Sequence, residues 1–115
     1  MIFLEDLEKL ISDVQAKNQM LQNIMMQKQT MMMQSKELEQ ALDAIEKNDD
    51  EIYKAVGPIL IKSTKEDVKN ELSEKKEDID IKVKSIERQE KKMTEHIKES
   101  QKTLQSMLNE RKSAN

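Results

Sequence analysis

Few side chains in this 115-residue chain have the type and spacing that chemistry needs. His96 is the one histidine, so it has no second imidazole with which to build a catalytic metal site, and it reads as a solvated helix residue. Asp49, Asp50 and Glu51 gather carboxylates as a cation site would. No glycine-containing calcium loop surrounds them, and an Asn48-Asp49-Asp50 run more simply marks where a helix stops. The lysines and arginine from Lys62 to Lys92 are interleaved with acids, which describes a solvated face. A single glycine cannot cradle phosphates, so ATP is not bound by that route. No nucleophile–base constellation can be assembled. The expectation is a protein that is not an enzyme and that uses no cofactor and no metal.

Composition narrows the class further. Charged residues make up 37% and hydrophobic ones 36%, against about 25% and about 45–50% in ordinary globular domains. That is too little apolar material to line a compact core, yet a net charge of −3 is not the signature of disorder. One Gly and one Pro leave almost nothing to break helices. The chain therefore reads as ordered, elongated and mostly helical. No cysteine means no disulfide and no thiolate metal site, which fits a reducing compartment. With one Phe, one Tyr and no Trp there is no stacking platform for single strands, and acids outnumber bases, so no nucleic acid is expected. Met1-Ile2-Phe3-Leu4 begins like a signal peptide, but Glu5 and Asp6 end the apolar run and no basic region precedes it. No stretch approaches the ~18 apolar residues of a membrane span. A soluble, cytoplasmic protein is the expectation.

The elements follow from hydrophobic period. Over residues 4–47, heptad steps pass through Leu7, Val14, Leu21, Lys28, Ser35 and Leu42, and through Phe3, Leu10, Lys17, Ile24, Met31, Leu38 and Ile45. Only Lys17, Lys28 and Ser35 interrupt this coiled-coil seam, and Leu4, Ile11, Met25 and Met32 are expected to widen it. Such a helix would be about 65 Å long. A second helix over 66–110 carries Leu72, Ile79, Ile86, Met93, Ser100 and Met107 beside Lys76, Val83, Glu90, Ile97 and Leu104. Ser63 or Thr64 is placed to cap it, with Glu66 and Asp67 in the first turn.

Between the helices lies a segment of different period. Glu51-Ile52-Tyr53-Lys54-Ala55-Val56 and Ile59-Leu60-Ile61-Lys62 are short and β-branched, and Gly57-Pro58 joins them, which predicts a β-hairpin turning between Val56 and Ile59. The fold class is mainly α: a long antiparallel helical hairpin, or two-stranded coiled coil, with a small β-hairpin at the bend. One domain spans 1–115, as an N-terminal helix (1–48), the hairpin (49–64) and a C-terminal helix (65–115). Matching the helix ends sets Lys76 opposite Glu37, Lys17 near Glu95 or Glu99, and Lys28 near Glu87, so the seam interruptions would find opposite charges.

Three apolar sets point outward. A lone two-stranded hairpin is marginal in water, and Ile52, Tyr53, Val56, Ile59, Leu60 and Ile61 have no third strand to cover them, so hairpins of several subunits are expected to close a shared sheet. At the opposite end Ile2, Phe3, Leu4, Leu7, Leu10 and Ile11 meet Leu104, Met107 and Leu108. Only part of that set fits a two-helix seam, and the remainder would form an exposed apolar tip. Met20, Met25, Met26, Met31, Met32 and Met33 offer either adaptable contact with varied apolar substrates or helix-favouring core filling.

Helix, hairpin and helix in this order resemble a β-type prefoldin subunit, archaeal or of the eukaryotic β class. The stretch Ile52-Tyr53-Lys54-Ala55-Val56-Gly57-Pro58-Ile59-Leu60-Ile61-Lys62 is similar to the family's hairpin. Lys65-Glu66 and Leu72, then Ile86-Glu87-Arg88-Gln89-Glu90, look like the start and middle of its second helix, and Gln27-Lys28-Gln29 resembles a motif on its first. The resemblance implies a heterohexamer of two α-type and four β-type subunits, joined through the hairpins, with coiled-coil arms around a cavity. It further implies an ATP-independent chaperone that holds unfolded client proteins at its tips and delivers them to a group II chaperonin. Several weak tip contacts acting together would supply the affinity. The alternative is a structural coiled-coil scaffold or tether, which explains the heptads and leaves the apolar hairpin unexplained.

Overall fold

The computed structural model describes residues 3–114, and the predicted Ile2 contact lies outside them. Four elements follow in order: α1 (Leu4–Glu46), β1 (Ile52–Val56), β2 (Ile59–Ser63) and α2 (Lys65–Ala114). The elements gather into two compact units. One, Gln29–Lys84, contains the hairpin and the adjoining parts of both helices, and the other pairs the residues up to Lys28 with those from Ser85 onward.

Each helix begins and ends where local chemistry dictates. At the start of α1 the Asp6 and Leu7 amides donate to the Phe3 carbonyl, and Glu5 and Asp6 lie in the first turn, where the helix dipole favours acids. The helix ends in a tightened turn, Asn48 N–H to the Ile45 carbonyl, and the Asn48 side chain then accepts the Asp50 amide. Thr64, rather than Ser63, caps α2, its hydroxyl accepting the Asp67 amide at 3.1 Å, because Ser63 is already the last residue of β2. No basic residue occupies the last turn of α1, and Lys65 of α2 supplies that charge by donating to the Glu46 carbonyl at 2.9 Å.

Within each unit the two helical segments run antiparallel and meet along the heptad rows. From Leu7 on α1, and throughout α2, every seam position named above is buried or half-buried. Phe3 is the exception, 60% exposed, because it precedes the helix. The expected widening of the stripe fails: Leu4, Ile11, Met25 and Met32 are all exposed. Two helices cover only the rows between them, and a flanking position has a neighbour on one side alone. The core is correspondingly thin, and Leu7, Ile86 and Ile97 are the buried hydrophobic residues among those described.

The polar interruptions answer one another, though not in the expected pairs. Lys28 reaches Glu90 at 3.0 Å rather than Glu87, and Lys17 donates to the Ser100 hydroxyl at 3.3 Å rather than to Glu95 or Glu99. Both partners are themselves seam positions, so each half-buried lysine satisfies a polar group that would otherwise face leucine and isoleucine. In the hairpin unit Ser35 donates to Asp80 at 2.6 Å, and Lys76 pairs with the same carboxylate at 2.8 Å on its own helix instead of with Glu37. Glu39 is the α1 acid whose charge reaches Lys76.

These contacts set a pH dependence. Lys76 first and Ser35 second hold the Asp80 carboxyl below its ordinary range, and Lys69, 2.7 Å away and hydrogen-bonded, does the same for Glu46. A carboxyl whose folded pKa is depressed stabilises the fold fully above its unfolded value and loses that contribution as pH falls through the folded one. The denaturant midpoint should therefore hold steady down to about pH 5 and decline below about pH 4. Asp80→Asn should lower the midpoint at neutral pH and flatten the acid decline. An acid limb unchanged in Asp80→Asn would remove this pair from the account.

Candidate interaction surfaces

The hairpin is built around one turn. Gly57 has φ +58°, and proline follows it, which is the order a type II′ two-residue turn requires, since proline cannot adopt the positive φ that a type I′ turn needs at its second central position. The turn fixes the register: Ile52 opposite Ser63, Tyr53 opposite Lys62, Lys54 opposite Ile61, Ala55 opposite Leu60 and Val56 opposite Ile59. One face thus carries Ile52, Lys54, Val56, Ile59, Ile61 and Ser63, and the other carries Tyr53, Ala55, Leu60 and Lys62.

Ion pairs brace this ribbon against its base. Lys54 reaches Glu71 of α2 at 2.7 Å, which turns the first face toward the helices, and Ile52 and Ser63 on that face are half-buried. On the second face Glu51 accepts from the Tyr53 hydroxyl at 2.8 Å and from Lys62 at 3.2 Å. The Tyr53 hydrogen bond first, then that from Lys62, lowers the Glu51 carboxyl, and the Lys54 hydrogen bond lowers Glu71. Sequence reasoning grouped Glu51 with Asp49 and Asp50 as a rejected cation cluster and gave it no role of its own in the hairpin. The cross-strand placement of Tyr53 and Lys62 was the signal that separates it from them.

Beyond those braces the ribbon is bare. Tyr53, Val56, Ile59, Leu60 and Ile61 are exposed, with Leu60 at 70% and Ile59 at 60%. Both faces offer apolar side chains, and among the described residues each strand has one unpaired edge, β1 pairing only with β2. Hairpin register sends the outward backbone groups from Tyr53 and Ala55 on one edge and from Leu60 and Lys62 on the other. This is a surface that another strand would complete.

The second candidate surface divides in two. Leu7 is buried, and Leu10, Leu104 and Met107 are half-buried in the seam. Phe3, Leu4, Ile11 and Leu108 are exposed, so the outward part of the predicted tip set is these four among the described residues. Of the methionines, Met31 is half-buried in the seam, while Met20, Met25, Met26, Met32 and Met33 are exposed, Met25 and Met32 included. His96 is exposed on α2. Among the described residues no group of His, Cys, Asp or Glu is arranged to hold a metal ion, and no helix is long and apolar enough to cross a membrane.

Comparison with known proteins gives one answer by three routes. The family model for prefoldin subunits matches residues 8–111. The prefoldin subunit beta of Archaeoglobus fulgidus is 43% identical over 103 residues, covering 88% of this chain and 89% of its own length. That of Thermococcus kodakarensis is 36% identical with 88% of each chain covered. Among solved structures, the crystal structure of the prefoldin beta subunit from Thermococcus strain KS-1 is similar with a TM-score of 0.86 at 35% identity, covering 90% of this chain and 92% of that one.

The turn supplies a direct test of the hairpin. A Cβ at Gly57 would meet nothing within 4 Å, so the cost of Gly57→Ala comes from backbone strain at a positive φ, about 1–3 kcal/mol. Chemical unfolding should show a loss of that size. A neutral result would mean that the turn adopts another conformation in solution.

Proposed function

This chain belongs to the prefoldin subunit family, and from that membership we propose that it acts as the β-type subunit of an ATP-independent chaperone. The whole chain works as one prefoldin-like domain: an N-terminal helix (1–48), an assembly hairpin (49–64) and a C-terminal helix (65–115). Four copies join two α-type subunits in a heterohexamer. The complex operates in the cytoplasm, holds unfolded proteins and passes them to a group II chaperonin.

The observation that carries this reading is the bare hairpin. Its five exposed large side chains and two free strand edges have no use in a solitary coiled coil. A scaffold or tether would need the heptad rows and could end in any polar loop, so that alternative leaves the most apolar exposed segment without a role. Holding follows from the other apolar group. Phe3, Leu4, Ile11 and Leu108 present a small greasy surface per subunit, adequate for a weak contact with an exposed apolar stretch of a client. Several subunits engaging one client raise the effective concentration of the remaining contacts, which gives retention without nucleotide. Because each contact is weak, a chaperonin can take the client over stepwise.

Native mass spectrometry of the subunit purified with its partners tests the assembly. The expected species has six chains, two of them copies of a second subunit, whereas a homo-oligomer would favour the scaffold. Ile59→Ser with Leu60→Ser should abolish that species while leaving helix content unchanged by circular dichroism, since both side chains are exposed. Deletion of residues 1–11 should preserve the six-chain complex and eliminate suppression of aggregation of an unfolded client. Retained suppression would move the holding surface elsewhere.

A further inference from the structure

Two hydrogen bonds in the unit formed by the residues up to Lys28 and from Ser85 onward decide which exposed residues share a side. Lys28 on Glu90 aligns the row Leu7, Leu21, Lys28 with the row Glu90, Ile97, Leu104. Lys17 on Ser100 aligns the other row, Leu10, Lys17, Ile24, with Met93, Ser100, Met107. Residues three or four positions from a row flank it on its outer side. The first pair of rows is flanked by Leu4, Ile11, Asn18 and Met25 from α1 and by Glu87, Thr94, Gln101 and Leu108 from α2, the four large apolar residues all exposed. The second pair is flanked by Asp6, Asp13, Met20 and Gln27 from α1 and by Gln89, His96, Thr103 and Glu110 from α2, also exposed. Apolar side chains therefore concentrate on one flank, while Met20 is the sole large apolar residue among those flanking the other.

Charge divides along the same line. Lys91, Lys98 and Lys112 lie one helical step beyond the flank that carries Leu108, and all three are exposed. Lys112 stands one turn beyond Leu108, and Lys98 stands three residues before Gln101 of that flank. Glu8 and Glu87 are the acids on this side, outnumbered by the lysines, whereas counted the same way the opposite side carries Asp6, Asp13, Glu99 and Glu110 against Lys9 and Lys92 and is net acidic. Among the described residues none of these three lysines has a carboxylate within ion-pair distance, in contrast to Lys28, Lys54, Lys62, Lys69 and Lys76, which are paired.

We propose that the flank of Leu4, Ile11, Met25 and Leu108 is the client-holding face of this unit and that it selects apolar polypeptide segments bordered by Asp or Glu. The apolar residues bury the client's hydrophobic side chains, and Lys98 and Lys112 meet its flanking carboxylates. The acidic flank repels the same segment, which fixes the side of approach. This deepens the client-holding reading and rests on it.

The test uses the assembled complex with its α-type partner and two fluorescent peptides that share one apolar core, bordered either by Glu or by Lys. Anisotropy should show the Glu-bordered peptide bound several-fold more tightly at low salt, with the difference shrinking as salt is raised. Lys98→Glu with Lys112→Glu should reverse the preference. Leu4→Ser with Ile11→Ser should weaken both peptides, while Asp6→Ser with Asp13→Ser should leave the binding of the Glu-bordered peptide no weaker. Equal affinity for the two peptides, with an unfolded client still held, would overturn the charge selection and leave the holding function intact. Equal sensitivity of the two flanks would overturn the one-sided face. Failure of the wild-type complex to hold either peptide or an unfolded client would overturn the holding function and this inference with it.

Discussion

Two helices that pack only against each other can bury a single seam of side chains, and a seam of leucine and isoleucine alone would slide. In this chain the slide is prevented by polar residues set into the seam on both helices. Lys17 meets Ser100, Lys28 meets Glu90, and Ser35 meets the Asp80–Lys76 pair. Shifting one helix by a turn would separate Lys17 from Ser100, Lys28 from Glu90 and Ser35 from Asp80, at a cost below the ~1–3 kcal/mol of a fully buried unsatisfied group because each stays partly hydrated. Each contact contributes little net stability, because a partly exposed ion pair gains modestly over its hydration. Their value lies in discrimination among registers, and the exposed flanks of the paired helices inherit their alignment from that choice.

The hairpin follows the opposite logic. Its internal geometry is fully specified by Gly57, Pro58 and a five-pair register, and its base is tied down by Lys54 to Glu71 and by Lys62 to Glu51. Its sides remain unsatisfied. A ribbon whose register is set and whose sides are unsatisfied suits recognition by strand addition, since the incoming strand meets a defined edge. The helices and the hairpin thus divide the labour: the former settle their polar groups internally, and the latter keeps its apolar ones for partners.

Much of this was legible in the sequence because both elements use strict periods. The heptad rows located the seam, and the sole Gly-Pro pair located the turn. What escaped depends on reach and on thickness. Lysine side chains span about a turn, so the backbone alignment that put Lys28 near Glu87 was compatible with the observed partner Glu90, and only the presence of Glu90 in the seam decides between them. Leu4, Ile11, Met25 and Met32 read as a widening of the seam because hydrophobicity marks a stripe without saying how many neighbours cover it, and two helices cover less than a bundle would. Glu51 sits in an acidic run whose members look alike until strand pairing sets Tyr53 and Lys62 side by side.

The sequence separations of the seam contacts favour one order of closure. The bonds from Lys65 and Lys69 to Glu46 link residues 19 and 23 apart, Ser35 to Asp80 spans 45, Lys28 to Glu90 spans 62 and Lys17 to Ser100 spans 83. With the turn formed first, each further contact closes only the short gap left by the one before it, so the pair assembles as a zipper and avoids the entropy of a direct long closure. Opening runs the same course backward. On this order the stretch around Leu4, Ile11 and Leu108 closes last and opens at least cost, so these exposed side chains sit where the helix pair separates most readily.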